Sequence, residues 1–212
     1  MQQRVDEKYL VPPDDLAALL ERLRPGFLAL EIDGRRESLY ESTYFDTPGL
    51  RCYHDHVEGR APRVKVRTRL YVDTRGCALE AKVKREAGET AKASCPIDPS
   101  DHGRLRAAGL AFLEDEIGAE VPHVSLVELG PAVTTAYRRA TLAAREGALR
   151  VTIDSGVRAS VPGGGRAELA PGRVIVETKS EDGESEADAV LREAGHRPVS
   201  LSKYRAGIER LA

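Results

Sequence analysis

A cationic residue stands at every second position of the segment RVKVRTRLY, residues 63–71, namely Arg63, Lys65, Arg67 and Arg69. Valine, threonine and leucine separate them, and strict alternation of this kind predicts a β-strand with one charged face and one mostly apolar face. A solvated face usually mixes charges of both signs, whereas this face carries four cations and no acid. Such a face could bind an anion, and phosphate suits it because arginine forks match phosphate oxygens.

Other segments with the same alternation carry charges on one face. Their residues at period two are Arg4, Asp6 and Lys8; Glu80, Lys82 and Lys84; Lys92; Arg139; Arg150, Thr152 and Asp154; Glu177 and Lys179; and Lys203, which is assigned to a late strand. Directly opposed like charges destabilise a sheet, so the pattern favours an anion that bridges them. The few carboxylates among these cations, Asp6, Glu80 and Glu177, are typical ligands of a divalent ion such as Mg²⁺ or Mn²⁺.

An ordinary solvated face is the alternative interpretation for any single strand. Two features of the whole set favour a ligand instead. Cations outnumber acids on these faces, although the chain has 34 acidic and 32 basic residues. The charged face also recurs on nearly every predicted strand.

The elements that would position these residues are mostly strands joined by hairpins. Strands are predicted over residues 4–11, 38–45, 63–72, 77–86, 132–145 and 148–154, and in the segments GVRASV and RVIVETKS. Helices are predicted after Pro12-Pro13, over 99–117 and over 185–194. The fold class is therefore α+β with an antiparallel sheet, which could close into an eight-stranded barrel with flanking helices and a charged tunnel inside.

Composition limits the classes of function. The chain has 212 residues, 41% apolar and 31% charged, which predicts one globular domain over residues 1–212. Its net charge of −2 and its 5% of aromatic residues argue against a nucleic-acid partner. The three cysteines are widely spaced, which predicts reduced thiols and a cytoplasmic location. Charges at Arg4 to Lys8 argue against a signal peptide. The apolar stretches are short, which predicts no transmembrane segment.

Eight segments, in this order and spacing, resemble the VTC domain, the catalytic module of the vacuolar transporter chaperone complex. They are RVDEKYLV at 4–11, STYFDTPGLRCYHDHVEG at 42–59, RVKVRTRLY at 63–71, LEAKVK at 79–84, AYRRATL at 136–142, RVTID at 150–154, VIVETKS at 174–180 and SKYRAG at 202–207. That family belongs to the triphosphate tunnel metalloenzymes, with the CYTH phosphatases and fungal RNA triphosphatases. The resemblance implies a tunnel that binds triphosphate or polyphosphate with Mn²⁺ or Mg²⁺.

The resemblance also implies site residues. Those expected on phosphate oxygens are Lys8, Arg67, Arg69, Lys82, Lys92, Arg139, Arg150 and Lys203. Further cations of the tunnel wall are Arg63, Lys65, Lys84 and Lys179. Glu177 is expected to be the main metal ligand, with Asp6 and Glu80 assisting it. His56 is expected to have a structural or hydrogen-bonding role, and Tyr44 to pack.

One departure bears on the reaction. Hydrolytic members begin with a Glu-x-Glu-x-Lys strand, whereas this chain has Arg4, Asp6 and Lys8, as VTC-like members do. The expected reaction is therefore synthesis of inorganic polyphosphate from a nucleoside triphosphate such as ATP. Hydrolysis of tripolyphosphate or another triphosphate is the first alternative, and binding of polyphosphate without turnover is the second. The SPX domain and membrane segments of the eukaryotic complex are not in this sequence, and the oligomeric state stays open.

Overall fold

The computed structural model describes residues 5–86, 88–180 and 183–211, so the interpretation of Arg4 lies outside the described residues. The strands are β1 Val5–Val11, β2 Phe27–Ala29, β3 Glu37–Asp46, β4 Arg63–Tyr71, β5 Gly76–Lys84, β6 Thr90–Pro96, β7 Gly130–Ala144, β8 Arg150–Ser160, β9 Arg166–Glu168 and β10 Val174–Ser180. The α-helices are α1 Pro13–Leu23, α2 Arg51–Val57, α3 Ala107–Ile117, α4 Glu186–Glu193 and α5 Lys203–Leu211.

The strands form an antiparallel sheet in the order β1-β10-β8-β7-β3-β4-β5-β6. Two short strands lie off this path, β2 paired with β7 and β9 paired with β8. The predicted α+β class with an antiparallel sheet is confirmed, but the sheet has ten strands in place of the eight of the predicted barrel. Between β1 and β6, the two ends of the path, the described residues form no strand pairing, so hydrogen bonds do not close the sheet.

The chain divides into two compact units. The first contains Met1–Leu39, Tyr137–Val157 and Ala170–Leu201. Its core joins the apolar face of β1 and β10, including Tyr9 and Val176, to Leu19 of α1 and Leu191 of α4. The prediction of one domain over 1–212 stays a prediction.

The second unit contains Tyr40–Ala136, Arg158–Leu169 and Ser202–Ala212. Val64 and Val66 of β4 and Leu79 of β5 are at most 1% exposed and pack with Leu113 of α3. The predicted two-faced strand is therefore confirmed here, since the valines between the cations form the core.

Several element assignments were wrong or incomplete, and the helix predicted over 99–117 is α-helical only at Ala107–Ile117. Lys203 begins helix α5 rather than lying on a strand, because Tyr204, Gly207 and Ile208 recur at helical spacing and are buried. The segment GVRASV continues β8 instead of forming a separate strand. Helix α2 was not predicted, and its seven residues are too few to show a clear apolar period.

Within the described parts of the chain, no helix has both the length and the apolar character needed to span a membrane.

Candidate functional site

Seven cations of β4, β5 and β6 share one side of the sheet in the second unit. This surface, the cationic face, consists of Arg63, Lys65, Arg67, Arg69, Lys82, Lys84 and Lys92. The register sets Lys65 opposite Lys82, and Lys82 opposite Lys92, so three lysines stand in one row across three strands. Arg63 lies opposite Lys84 in the next row, which ends at Thr90. Both rows therefore place like charges directly opposite one another, which is unfavourable in a sheet.

Glu80 is the acid of the cationic face, and it contacts two arginines. Arg67 Nε donates to Glu80 Oε2 at 2.7 Å, and Arg69 Nη1 lies 3.6 Å from Glu80 Oε1. This carboxylate therefore orients both guanidinium groups. Arg69 Nε is buried and has no hydrogen-bond partner among the described residues, so its N–H can serve a ligand oxygen.

Tyr44 of β3 reports the positive field at this face. Its hydroxyl accepts a hydrogen bond from Arg67 Nη1 at 3.0 Å, and the guanidinium also lies over the ring. Burial acts against ionisation of the phenol, but the charges of Arg67, Arg69 and Lys203 outweigh it and lower the pKa of Tyr44 below its usual 10.0. Lys203, in the first turn of α5, therefore contributes to the positive potential at Tyr44 together with the β4 arginines. Tyr44 does pack, as predicted, but it also receives these cations.

His56 of α2 is the second group that reports this field. Lys65 Nζ lies 3.2 Å from His56 Nε2 and 3.1 Å from Ser202 Oγ. Burial, followed by the charges of Lys65 and Arg63, lowers the pKa of His56 from 6.5 to about 4. The imidazole is therefore neutral near pH 7 and accepts a hydrogen bond from the ammonium group.

Asp46 connects the two helices that bring His56 and Lys203 to the cationic face. This carboxylate, at the end of β3, accepts hydrogen bonds from the backbone N–H groups of Cys52 and Tyr53 in α2, at 2.8 and 3.0 Å. It also accepts the hydroxyl hydrogen of Tyr204 in α5. Burial and the adjacent Asp46 charge raise the pKa of Tyr204, so its phenol remains a donor.

The first unit contains a separate group of charges, the Glu177 cluster, which consists of Asp6, Lys8, Arg150, Glu177 and Lys179. Lys179 Nζ donates to Glu177 Oε1 and lies 3.6 Å from Asp6 Oδ2. Two carboxylates from β10 and β1 therefore meet at one cation. Lys8 is directly opposite Glu177, and Arg150 is opposite Lys179. Within the described chain, Lys8 and Arg150 form no ion pair with a carboxylate.

The Glu177 cluster has donors that suit a hard divalent cation. Thr152 lies opposite Glu177, and its hydroxyl is buried without a hydrogen-bond partner among the described residues. Across residues 5–86, 88–180 and 183–211, no three His, Cys, Asp or Glu side chains form a metal-binding group by themselves. Mg²⁺ commonly binds to one or two carboxylates together with substrate phosphates, and this donor set fits that mode.

Arg139 of β7 has its strongest contact with a carboxylate. Its Nε and Nη2 atoms donate to the two oxygens of Asp154 at 2.6 and 2.7 Å. Burial opposes the charge of Arg139, but Asp154 outweighs burial and raises the guanidinium pKa. Asp154 is fully buried, so the bidentate pair fixes the direction of the guanidinium group.

The predicted site residues thus fall into two groups. The second unit holds the cationic face with Glu80 and Lys203, and the first holds the Glu177 cluster with Arg139. Sequence reasoning gave no role to Asp154 or Ser202, although Asp154 shares the alternation of RVTID with Arg150 and Thr152. No sequence signal identified Ser202, because its contact with Lys65 depends on how α5 packs.

The chain has an α+β fold with an antiparallel sheet and a row of cations along β4, β5 and β6. Its fold is shared with a candidate adenylyl cyclase from Hippeastrum that is described as having a dominant triphosphatase activity, at 16% identity and a TM-score of 0.57, with 99% of this chain and 97% of that chain covered. A candidate adenylate cyclase from Bacillus halodurans matches at 15% identity and a TM-score of 0.56, covering 95% and 94%. PH1012 from Pyrococcus horikoshii matches at 13% identity and a TM-score of 0.56, with 99% of this chain and 100% of that chain covered.

A family model describes the chain more closely than these structures do. The model of the VTC domain matches residues 3–212, and the chain belongs to the VTC domain family. The predicted family is therefore confirmed over nearly the whole sequence. A comparison with curated proteins finds no match.

Proposed function

We propose that this protein transfers phosphoryl groups on triphosphate or polyphosphate, and that its product is inorganic polyphosphate made from a nucleoside triphosphate such as ATP. The row of Lys65, Lys82 and Lys92 carries the proposal. Directly opposed ammonium groups destabilise a sheet, and an anion with several charges that binds to all three offsets this repulsion. A phosphate chain is such an anion, and membership of the VTC domain family supports this choice.

Phosphoryl transfer requires positioning and charge neutralisation more than covalent catalysis. On the cationic face, Glu80 holds Arg67 and Arg69, and the buried Nε–H group of Arg69 is available for a phosphate oxygen. We assign phosphate binding there to Arg63, Lys65, Arg67, Arg69, Lys82, Lys84, Lys92 and Lys203. In the first unit we assign it to Lys8, Arg139, Arg150 and Lys179. Glu80 acts in this proposal chiefly by orienting the two arginines.

A divalent cation, Mn²⁺ or Mg²⁺, is the proposed cofactor. Glu177 would hold it together with Asp6, and the buried Thr152 hydroxyl lies opposite Glu177. When bound, such an ion neutralises charge that develops on phosphate oxygens. The Lys179 ammonium group contacts both the Glu177 and the Asp6 carboxylate, which supports binding of a positively charged ion between them.

Hydrolysis of a triphosphate is the second candidate. The similarly folded Hippeastrum protein is described as having a dominant triphosphatase activity, which favours this candidate. The two reactions share phosphate-binding residues and differ in the acceptor, which is the end of a phosphate chain in one and water in the other. Arg4, where hydrolytic members carry an acid, favours synthesis.

One experiment separates the candidates. The protein is incubated with ATP and Mn²⁺, and the products are resolved on a gel stained for polyphosphate. A ladder of chains that grows with time supports synthesis. Orthophosphate from tripolyphosphate without a ladder supports hydrolysis, and binding with neither product supports a module without turnover.

We further propose that residues 1–212 work as one domain in the cytoplasm. Coverage of residues 3–212 by a single family model supports one domain. The cysteines Cys52, Cys77 and Cys95 are all free, which supports a location in the cytoplasm.

A further inference from the structure

We infer that His56 is a positioning residue for Lys65 and that it takes up a proton when a polyphosphate anion binds to the cationic face. The inference rests on the proposed function, because it takes a phosphate chain as the anion. It adds a proton-linked step to binding at that face.

The contacts of His56 define its state without ligand. An ammonium group has donors only, so the Lys65 hydrogen bond requires an unprotonated Nε2 atom with an available lone pair. The proton of the neutral ring is then on Nδ1, which is buried and has no hydrogen-bond partner among the described residues. Ser202 Oγ is the second acceptor for Lys65, at 3.1 Å. His56 of α2 and Ser202, the residue before α5, thus fix the ammonium group of Lys65 from two sides.

The charges around His56 explain why its ring is neutral. Helix α2 packs against β4 and α5. The groups that act on the ring are Lys65 and Arg63 of β4, Arg205 of α5 and Lys82 of β5, and all four are cations. On its own helix, the neighbouring Asp55 is already paired with Arg51 and Arg60. Burial and these cations together account for a pKa of about 4.

A bound polyphosphate would reverse the electrostatic part of this balance. Its oxygens neutralise Lys65, Lys82 and Arg63, which oppose protonation, and its own negative charge favours an imidazolium. At acidic pH the ring then gains a proton from solvent at Nε2, and a new N–H bond replaces the lone pair that held Lys65. The ammonium of Lys65 is released toward the anion, and His56 supplies one further positive charge. By linkage, affinity must then rise as the pH falls toward the pKa of the bound state.

Two substitutions separate titration from positioning. His56→Gln places an amide oxygen near the position of Nε2, so it keeps an acceptor for Lys65 but cannot titrate. His56→Leu removes both properties. His54→Gln is the matched control, because His54 is exposed on the same helix. Circular dichroism checks that each variant is folded.

The decisive measurement is calorimetry of tripolyphosphate binding at pH 5.5 in two buffers with different ionisation enthalpies. The difference in heat gives the number of protons taken up, and the protons of tripolyphosphate itself cancel between variants. We expect wild type and His54→Gln to take up a substantial fraction of one proton more than His56→Gln. At pH 7.5, His56→Gln should bind like wild type, and His56→Leu roughly three- to tenfold more weakly.

The possible outcomes separate a failure of the His56 inference from a failure of the proposed function. Equal proton uptake by wild type and His56→Gln, with tight binding in both, overturns the role of His56 and leaves the proposed function intact. Equal affinity of wild type and His56→Leu at pH 7.5 overturns the positioning role. If wild type does not bind tripolyphosphate, the proposed function fails and the inference fails with it.

Discussion

Tyr44 shows how a chain with a net charge of −2 can create a strongly positive site. Its phenol is buried, and burial alone would raise its pKa, yet nearby cations reverse that shift. His56 reports the same field through a lowered pKa. Two groups of opposite chemical type therefore agree on the sign of the local potential. On this face Glu80 contacts Arg67 and Arg69, and the potential at Tyr44 and His56 stays positive.

Arg67 of β4 and Lys203 of α5 should both be necessary for turnover, because both contribute positive charge at Tyr44. Arg67→Ala and Lys203→Ala are each expected to lower kcat by roughly 10²-fold or more, since each removes charge that neutralises the transferring phosphates. The measurement is product formed from ATP with Mn²⁺. Arg210→Ala, at the exposed end of α5, is the control. Turnover like wild type in both alanine variants would refute the assignment of the cationic face.

Glu177 should determine the response to metal. Glu177→Gln keeps the shape of the side chain but removes the charge beside Lys179, so we expect the stimulation by Mn²⁺ to be lost. Activity is measured against Mn²⁺ concentration, with Glu168→Gln of β9 as an exposed control. An unchanged metal titration in Glu177→Gln would place the ion elsewhere.

At the scale of elements, α5 has a larger role than its sequence suggested. It carries Lys203, its Tyr204 is bound to Asp46, and Ser202 just before it contacts Lys65. Alternation identified the cationic side of β4 and β5, because period two fixes which side chains share a face. The lysine row depends on register, and the Ser202 contact depends on helix packing. Local pattern encodes neither of these, so both required the structure.

Gly207 allows α5 to approach the sheet. A Cβ atom at this position would lie 2.8 Å from Val133 Cγ2 and 3.3 Å from Ala159 Cβ. Gly207→Ala should therefore destabilise the fold by about 1–2 kcal/mol, the cost of overpacking less the better helix propensity of alanine. Chemical unfolding measures this, with Gly49→Ala as the control because open space surrounds Gly49. A gain in stability for Gly207→Ala would show that α5 can shift at little cost.

Helix α2 should make stability depend on pH through His56. Its folded-state pKa of about 4 lies below the unfolded value of 6.5, so the unfolded chain binds the proton first. Stability is therefore full above pH 6.5 and falls as the pH drops toward 4. Urea unfolding at pH 7.5 and 4.5 should show wild type losing about 1–2 kcal/mol more than His56→Gln, after allowance for solvent screening. Parallel losses in the two proteins would contradict the shifted pKa.

For the whole molecule, the opposed lysines of β4, β5 and β6 imply a cost in stability that a bound anion relieves. Like charges at opposed positions of a sheet are destabilising, and Lys65, Lys82 and Lys92 add this term twice. A ligand that binds only the folded chain stabilises it, by about 2.7 kcal/mol at one hundred times its dissociation constant. The ligand-free protein therefore should gain stability when these charges are removed, while the response to an anion should be lost.

Calorimetric unfolding of wild type and the double variant Lys82→Gln, Lys92→Gln measures both effects. We expect tripolyphosphate in large excess to raise the wild-type Tm by about 5–10 °C, in a single transition if residues 1–212 are one domain. Added NaCl should reduce that shift, because ions screen exposed charges. The double variant should have an equal or higher Tm without ligand and a much smaller shift with it. A lower Tm without ligand combined with an undiminished shift would mean that the lysines stabilise the sheet and that the anion binds elsewhere.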